Sequence, residues 1–161
     1  MGTQQSAILN YMVDTNVFNW LVQGYLAIDD LPSDGDFFAT PVQRAELEAT
    51  RDDAKRGALL ANFSEVVTGL YSAPFTFDVP GAGFDQGRMT DGILASAIRS
   101  DLDGERKKRN NIQDALIAET AITTGFTLVT CDRTLRNVAQ AHGCTVLFFE
   151  RGTNVNRHPE S

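Results

Sequence analysis

Short apolar runs alternate with segments of helical spacing along nearly the whole chain, and this limits what it can fold into. Apolar runs read as strands at Ala7–Val13, Phe37–Thr40, Phe75–Val79, Phe126–Thr130 and Cys144–Phe149. Between them lie stretches whose apolar residues recur every three or four positions: Val17–Leu26, Asp91–Leu102, Ile112–Thr124 and Arg133–His142. Two more helices are expected from Pro41 to about Lys55 and from Gly57 to Leu70. Strands separated by helices need crossover connections, which make a parallel sheet covered on both faces. The fold class is therefore α/β.

Local chemistry supports several boundaries. Thr40, Pro41 and Gln43 form a capping box with proline at the first helical position. Asp34-Gly35 and Pro80-Gly81 are turn signals, and Gly125 and Gly143 suit helix stops. Asp103–Asn111 (DGERKKRNN) is a charged connection.

At 161 residues the chain is long enough for one substantial core, so residues 1–150 are expected to form one domain and 151–161 a flexible tail. No apolar run reaches the roughly 20 residues needed to span a bilayer, and the start lacks the pattern of a signal peptide. Cys131 and Cys144 are isolated, which indicates neither a zinc knuckle nor a disulfide framework. A cytoplasmic setting with no membrane partner follows as the expectation. The net charge of −7 excludes coating nucleic acid by bulk attraction and fits an acidic, metal-binding pocket or a basic partner. Gly81, Gly83 and Gly87 do not form a phosphate-binding glycine motif, so nucleotide binding is rejected there.

Four acids stand at element ends. Asp14 follows the first strand, where an open parallel sheet binds its ligands, yet taken alone it is better explained as an N-cap or Asx turn leading into the next helix. Glu46 falls on the helix face of Val42, Ala45 and Ala49, whereas Glu48 falls with Arg44, Arg51 and Asp52 toward solvent. An acid on an apolar stripe is unusual, although one at its edge can reach water. Asp114 opens the most apolar helix, where Asn111 as N-cap and the helix dipole offer a structural explanation. Asp132 follows the fourth strand and can cap the next helix. Each acid alone has a structural account.

Together they carry a resemblance. Asp14-Thr15-Asn16 after a first strand, Ala45-Glu46-Leu47 early in a helix, and Asn111-Ile112-Gln113-Asp114-Ala115-Leu116-Ile117-Ala118 followed by Leu128-Val129-Thr130-Cys131-Asp132 resemble the motifs of PIN-domain nucleases. Within them the chain is most similar to the VapC-type toxin ribonucleases, over roughly residues 9–149. The resemblance implies a three-layer α/β/α sandwich with a central, mainly parallel sheet of about five strands. It implies that Asp14, Glu46, Asp114 and Asp132 bind Mg²⁺ or Mn²⁺ and catalyse phosphodiester hydrolysis, with Asn16 and Thr130 orienting them.

Hard divalent cations prefer oxygen ligands, and a bound metal acidifies water without a histidine base. The only histidines are His142 and His158. The dense basic run Arg106-Lys107-Lys108-Arg109 is a candidate RNA-binding element beside the metals, or else a solvated loop. Expected partners are an RNA substrate, a cognate antitoxin and a second copy of the chain. The chain departs from the compact toxins in extra sequence around Phe84–Gly92 and Asp103–Asn111. Two other readings are a non-catalytic PIN-like module that binds RNA or protein, and an aspartyl phosphatase of the haloacid dehalogenase type. The latter expects an acid where Asn16 stands.

Overall fold

The computed structural model describes residues 9–70, 87–106, 108 and 110–150. Its centre is a five-stranded sheet, parallel throughout, made of β1 (Leu9–Val13), β2 (Gly35–Ala39), β3 (Gly69–Leu70), β4 (Thr127–Thr130) and β5 (Val146–Phe148) in the order β3-β2-β1-β4-β5. The helices are α1 (Thr15–Gln23), α2 (Pro41–Glu48), α3 (Asp53–Val66), α4 (Gly87–Glu105), α5 (Asn111–Thr124) and α6 (Arg133–Ala141).

Side chains on a strand alternate between faces, and here the alternation separates two cores. Tyr11, Val13, Phe37, Ala39 and Val129 join Val17, Phe18, Leu47, Leu59 and Phe63 on the side of α1 and α3. Met12 and Leu128 join Ile98, Leu102, Ile117, Ala118, Leu135 and Val138 on the side of α4, α5 and α6. Burial of each large side chain contributes about 1.5–3 kcal/mol, so the sheet is held from both faces as a three-layer sandwich. Among the described residues, no helix is long and apolar enough to cross a membrane.

The capping box at Thr40 forms as expected: the Val42 N–H donates to the Thr40 hydroxyl, and the Thr40 N–H to Gln43 Oε1. Gly125 ends α5 with a φ of 79°, a left-handed conformation that glycine adopts without strain.

Several expected boundaries are corrected. The helix from Pro41 stops at Glu48 rather than near Lys55, because Asp52 captures the Lys55 N–H and starts α3 while Arg56 binds the Thr50 carbonyl. The helix expected to reach Leu70 ends at Val66. Thr68 donates its N–H to the Phe37 carbonyl, and Gly69–Leu70 pairs beside Phe38–Ala39 as β3. Edge pairing outweighs local helical spacing there. The expected strand at Phe75–Val79 and the tail at 151–161 lie outside the described residues, as does the start of the extra sequence at Phe84–Gly92. The helix expected over Asp91–Leu102 is longer at both ends: α4 takes up Gly87–Gly92 and, at its other end, Asp103–Glu105 of the expected charged connection.

The sheet order makes β1 a switch point, with β2 on one side and β4 on the other. Crevices for ligands form beyond the carboxyl ends of strands at such a point.

Candidate acidic site

Asp14 emerges from β1 at that crevice. It stands at the N-cap position of α1 but makes no side-chain cap bond, so the capping explanation of its carboxyl fails. Instead its N–H donates to the Val129 carbonyl at 2.9 Å, and its Oδ2 accepts from the Thr130 hydroxyl at 2.8 Å. Its exposure is 1%. Thr130, fully buried at the end of β4, also accepts the Asp132 N–H at 3.0 Å. One hydroxyl thus ties Asp14 to the backbone of Asp132.

Asp132 does cap its helix: its Oδ1 accepts the Leu135 N–H at 3.1 Å. That leaves Oδ2, which faces the crevice and takes two cations. Arg106 Nη1 bonds it directly, and Lys108 Nζ lies 3.6 Å away.

Glu46 reaches the site because Gln43, one turn earlier, is bolted to β1. Gln43 is wholly buried, and its Nε2 donates to the Val13 carbonyl at 2.9 Å while its Oε1 completes the cap at Thr40. Glu46 Oε1 then accepts from the Thr15 hydroxyl at 2.5 Å. Glu48 is exposed and pairs with Arg44 at 3.0 Å, as its place on the solvent side predicts. The buried stripe of α2 is Gln43 and Leu47, however. Val42, Ala45 and Ala49 line an open groove against Ile112, Gln113 and Leu116 of α5, with Glu46 on its wall.

Asp114 is 4% exposed. The cap position before α5 belongs to Asn110, not to Asn111, which is the helix's first residue and is bound elsewhere. Asn111 Nδ2 donates to Asp103 at 2.8 Å, and its Oδ1 accepts Arg106 Nε at 2.9 Å. So held, Arg106 donates from Nη2 to Asp114 Oδ2 at 2.7 Å and from Nη1 to Asp132. One guanidinium therefore spans two of the four acids.

The electrostatics mark these acids as one group. Burial, and then the charge of Asp114, push the Asp14 carboxyl up to about 8, against a smaller lowering by the Thr130 hydroxyl; Asp132 and Glu46 raise it further. Burial raises Asp114 to about 6 against the pull of Lys108 and Arg106, with Asp132 and Glu46 again adding to the rise. Burial also raises Glu46. For Asp132 burial pushes upward, but the bond from Arg106, the Leu135 N–H and the two nearby cations win and hold it below its ordinary value.

Four carboxylates at one sheet edge form a donor set of hard oxygens, which suits Mg²⁺ or Mn²⁺. Among the described residues, no three acidic, histidine or cysteine side chains are gathered tightly enough to enclose a metal ion. The Arg106 guanidinium bonds both Asp114 and Asp132, with the Lys108 ammonium beside Asp132. Positive charge is thus already seated against two of the four acids.

Other anticipated residues fall as follows. Among the described residues Asn16 makes no side-chain hydrogen bond, and its neighbour Thr15 is the one that holds Glu46. Of the basic run, Arg106 and Lys108 turn into the acidic crevice, while Lys107 and Arg109 lie outside the described residues. Burial, then the charges of Asp14 and Asp132, push the Cys131 thiol far up, so it is no nucleophile at neutral pH. His142 pairs with Asp101 at 2.7 Å. The roles of Thr15, Asn111 and Arg106, and the tie from Gln43 to β1, were not anticipated. A buried polar residue one turn before Glu46 was the one available signal, at Gln43.

No protein-family profile matches the chain, and no curated protein sequence matches it. Solved structures do. VapBC2 from Rickettsia felis, bound to a DNA fragment from its promoter, aligns with a TM-score of 0.56 at 14% identity, over 88% of this chain and 99% of that one. VapBC-1 from nontypeable Haemophilus influenzae aligns at 0.55 and 18% identity, over 87% and 98%. VapBC-5 from Mycobacterium tuberculosis, of the VapBC family of toxin-antitoxin systems, aligns at 0.50 and 22%, over 88% and 98%. The likeness is one of fold, a PIN-like α/β sandwich spanning nearly the whole of each matched chain.

Proposed function

We propose that this protein is a metal-dependent ribonuclease acting as the toxin of a toxin–antitoxin pair, with Asp14, Glu46, Asp114 and Asp132 holding Mg²⁺ or Mn²⁺. The observation that carries this reading is Asp14 itself. A fully buried carboxyl, surrounded by three more acids and hydrogen-bonded to a neutral hydroxyl, is costly in a protein unless a cation belongs beside it. The fold shared with VapBC structures supports the toxin assignment, and their pairing with an antitoxin supports a cognate antitoxin as partner here. RNA as substrate, a homodimer and a cytoplasmic setting belong to the same proposal.

A divalent cation held there supplies charge neutralisation and an acidified water for attack on a phosphodiester. The chain's own residues set the geometry. Thr130 orients Asp14, Thr15 orients Glu46, and Gln43 fixes α2 against the end of β1. Asp132, ionised and capping α6, presents its second oxygen to the crevice.

The test is cleavage of single-stranded or structured RNA with Mg²⁺ or Mn²⁺, with and without chelator, for the native chain and Asp114→Asn. Cleavage should need the metal and vanish in the variant while far-ultraviolet circular dichroism stays native. Cleavage surviving both chelation and the substitution would sink the mechanism. RNA binding without any cleavage would favour a non-catalytic module.

A further inference from the structure

We infer that Arg106 is a built-in competitor for the metal: its guanidinium holds the cation seat in the metal-free protein and must leave it when a divalent ion binds. The inference rests on the metal-site reading above and adds to it how that site is regulated.

Three observations carry it. First, Arg106 is seated rather than loosely placed. Its Nε donates to Asn111 Oδ1 at 2.9 Å, and its carbonyl accepts from Asn111 Nδ2 at 3.2 Å. Asn111 is in turn fixed by Asp103, so a second layer of side chains aims the fork. The guanidinium's planar geometry matches two acceptors at once. Second, Asp114 is buried and the Asp132 side chain only 10% exposed, and the Arg106 side chain is itself only 15% exposed. Third, both oxygens of Asp132 are already engaged: Oδ1 accepts the Leu135 N–H at the head of α6, and Oδ2 accepts from Arg106. Each oxygen keeps a second lone pair, so it is the charge of the guanidinium at Oδ2, rather than a lack of donor atoms, that a divalent ion has to displace. The arginine side chain can swing away, whereas the cap is part of the fold.

Like charges also forbid joint occupancy. A dication bound to the Oδ2 atoms of Asp114 and Asp132 would face the guanidinium at close range in a desolvated crevice. The two cations therefore exchange, and the metal-free chain is held with its acids partly neutralised. Lys108, 3.6 Å from Asp132 and over a third exposed, is the weaker occupant and can follow the field without breaking a hydrogen bond.

The test uses Mn²⁺ alone as probe, with binding read by electron paramagnetic resonance on the full chain. Arg106→Met, which keeps the apolar stem but removes the competing charge, should bind Mn²⁺ at least about tenfold tighter, since neither charge-assisted bond to the acids has to be broken. Removing the arginine leaves buried acids unpaired, so Arg106→Lys provides a variant that keeps the charge and loses the two-pronged grip; it should bind with intermediate affinity. In the native chain, the Arg106 Nε–H signal in nitrogen-15 NMR should lose its protection as Mg²⁺ is added. Equal or weaker Mn²⁺ affinity in both variants, with the native Nε–H signal unchanged at saturating metal, would overturn the inference and leave the metal site standing. Absence of metal binding in native chain and variants alike would overturn the metal-site reading itself, and the inference with it.

Discussion

Replacing Thr130 with valine keeps the shape of the side chain and removes one hydroxyl that serves two acids. That hydroxyl donates to Asp14 Oδ2 at 2.8 Å and accepts the Asp132 N–H at 3.0 Å, in a position with no exposed surface. Valine leaves a buried N–H without its acceptor, which costs about 1–3 kcal/mol, and deletes a hydrogen bond to a carboxyl worth about 1 kcal/mol. The expected loss is about 2–4 kcal/mol, or roughly 10 °C in Tm for a chain of this length. Urea denaturation followed by circular dichroism, in chelator, measures it.

The loss should also depend on pH. Asp14's folded pKa lies above its unfolded one, so its contribution is fully present below about pH 4 and lost as pH rises through about 8. The Thr130 hydroxyl lowers that folded pKa. Without it the decline continues past pH 8, and Thr130→Val should cost more at pH 9 than at pH 5. A loss under about 0.5 kcal/mol, or one identical at both pH values, refutes the geometry on which this reasoning stands.

Two other substitutions test neighbouring parts of the site. Asp14→Asn removes the titration, so in chelator it should match the native chain near pH 4 and exceed it by a few kcal/mol at pH 8, as urea denaturation at both pH values would report, while RNA cleavage is lost. Gln43→Ala removes the acceptor for the Thr40 N–H and the donor to the Val13 carbonyl; it should cost about 2–3 kcal/mol and weaken metal-dependent cleavage by letting Glu46 drift, and unchanged cleavage would show that α2 is positioned otherwise.

Much of the architecture was legible because it rests on signals a few residues long. The Thr40 box, Gly125 and the apolar run that ends at Val13 each specify a local structure that the tertiary fold keeps. The four acids could be placed on elements, and Glu46 separated from Glu48, by periodicity alone. What stayed hidden depended on partners far away in sequence. Whether Asp14 caps α1 or faces Thr130 is decided by a residue 116 positions on. That Arg106 enters the crevice is decided by Asn111 and by two acids, Asp114 and Asp132, from separate elements. The edge strand Gly69–Leu70 exists only because β2 offers it a partner. The division of α2 from α3 was local too, at Asp52, but the break was expected several residues later, between Lys55 and Gly57.

The central strand β1 is completed on one side by β2, soon after it in sequence, and on the other by β4, near the chain's end. A chain emerging from synthesis can therefore pair β1 with β2 early, but Asp14 meets the Val129 carbonyl and Thr130 only after β4 has been made. Contacts so distant in sequence close late and slowly. The acidic crevice consequently closes only when β4 has arrived, and a chain that stops before it carries its first carboxylate in water, at an ordinary pKa. A fragment ending at Gly125 should show Asp14 titrating near the usual value of about 3.9 by carbon-13 NMR; a value still raised toward 8 would mean that α1 and α2 alone bury it.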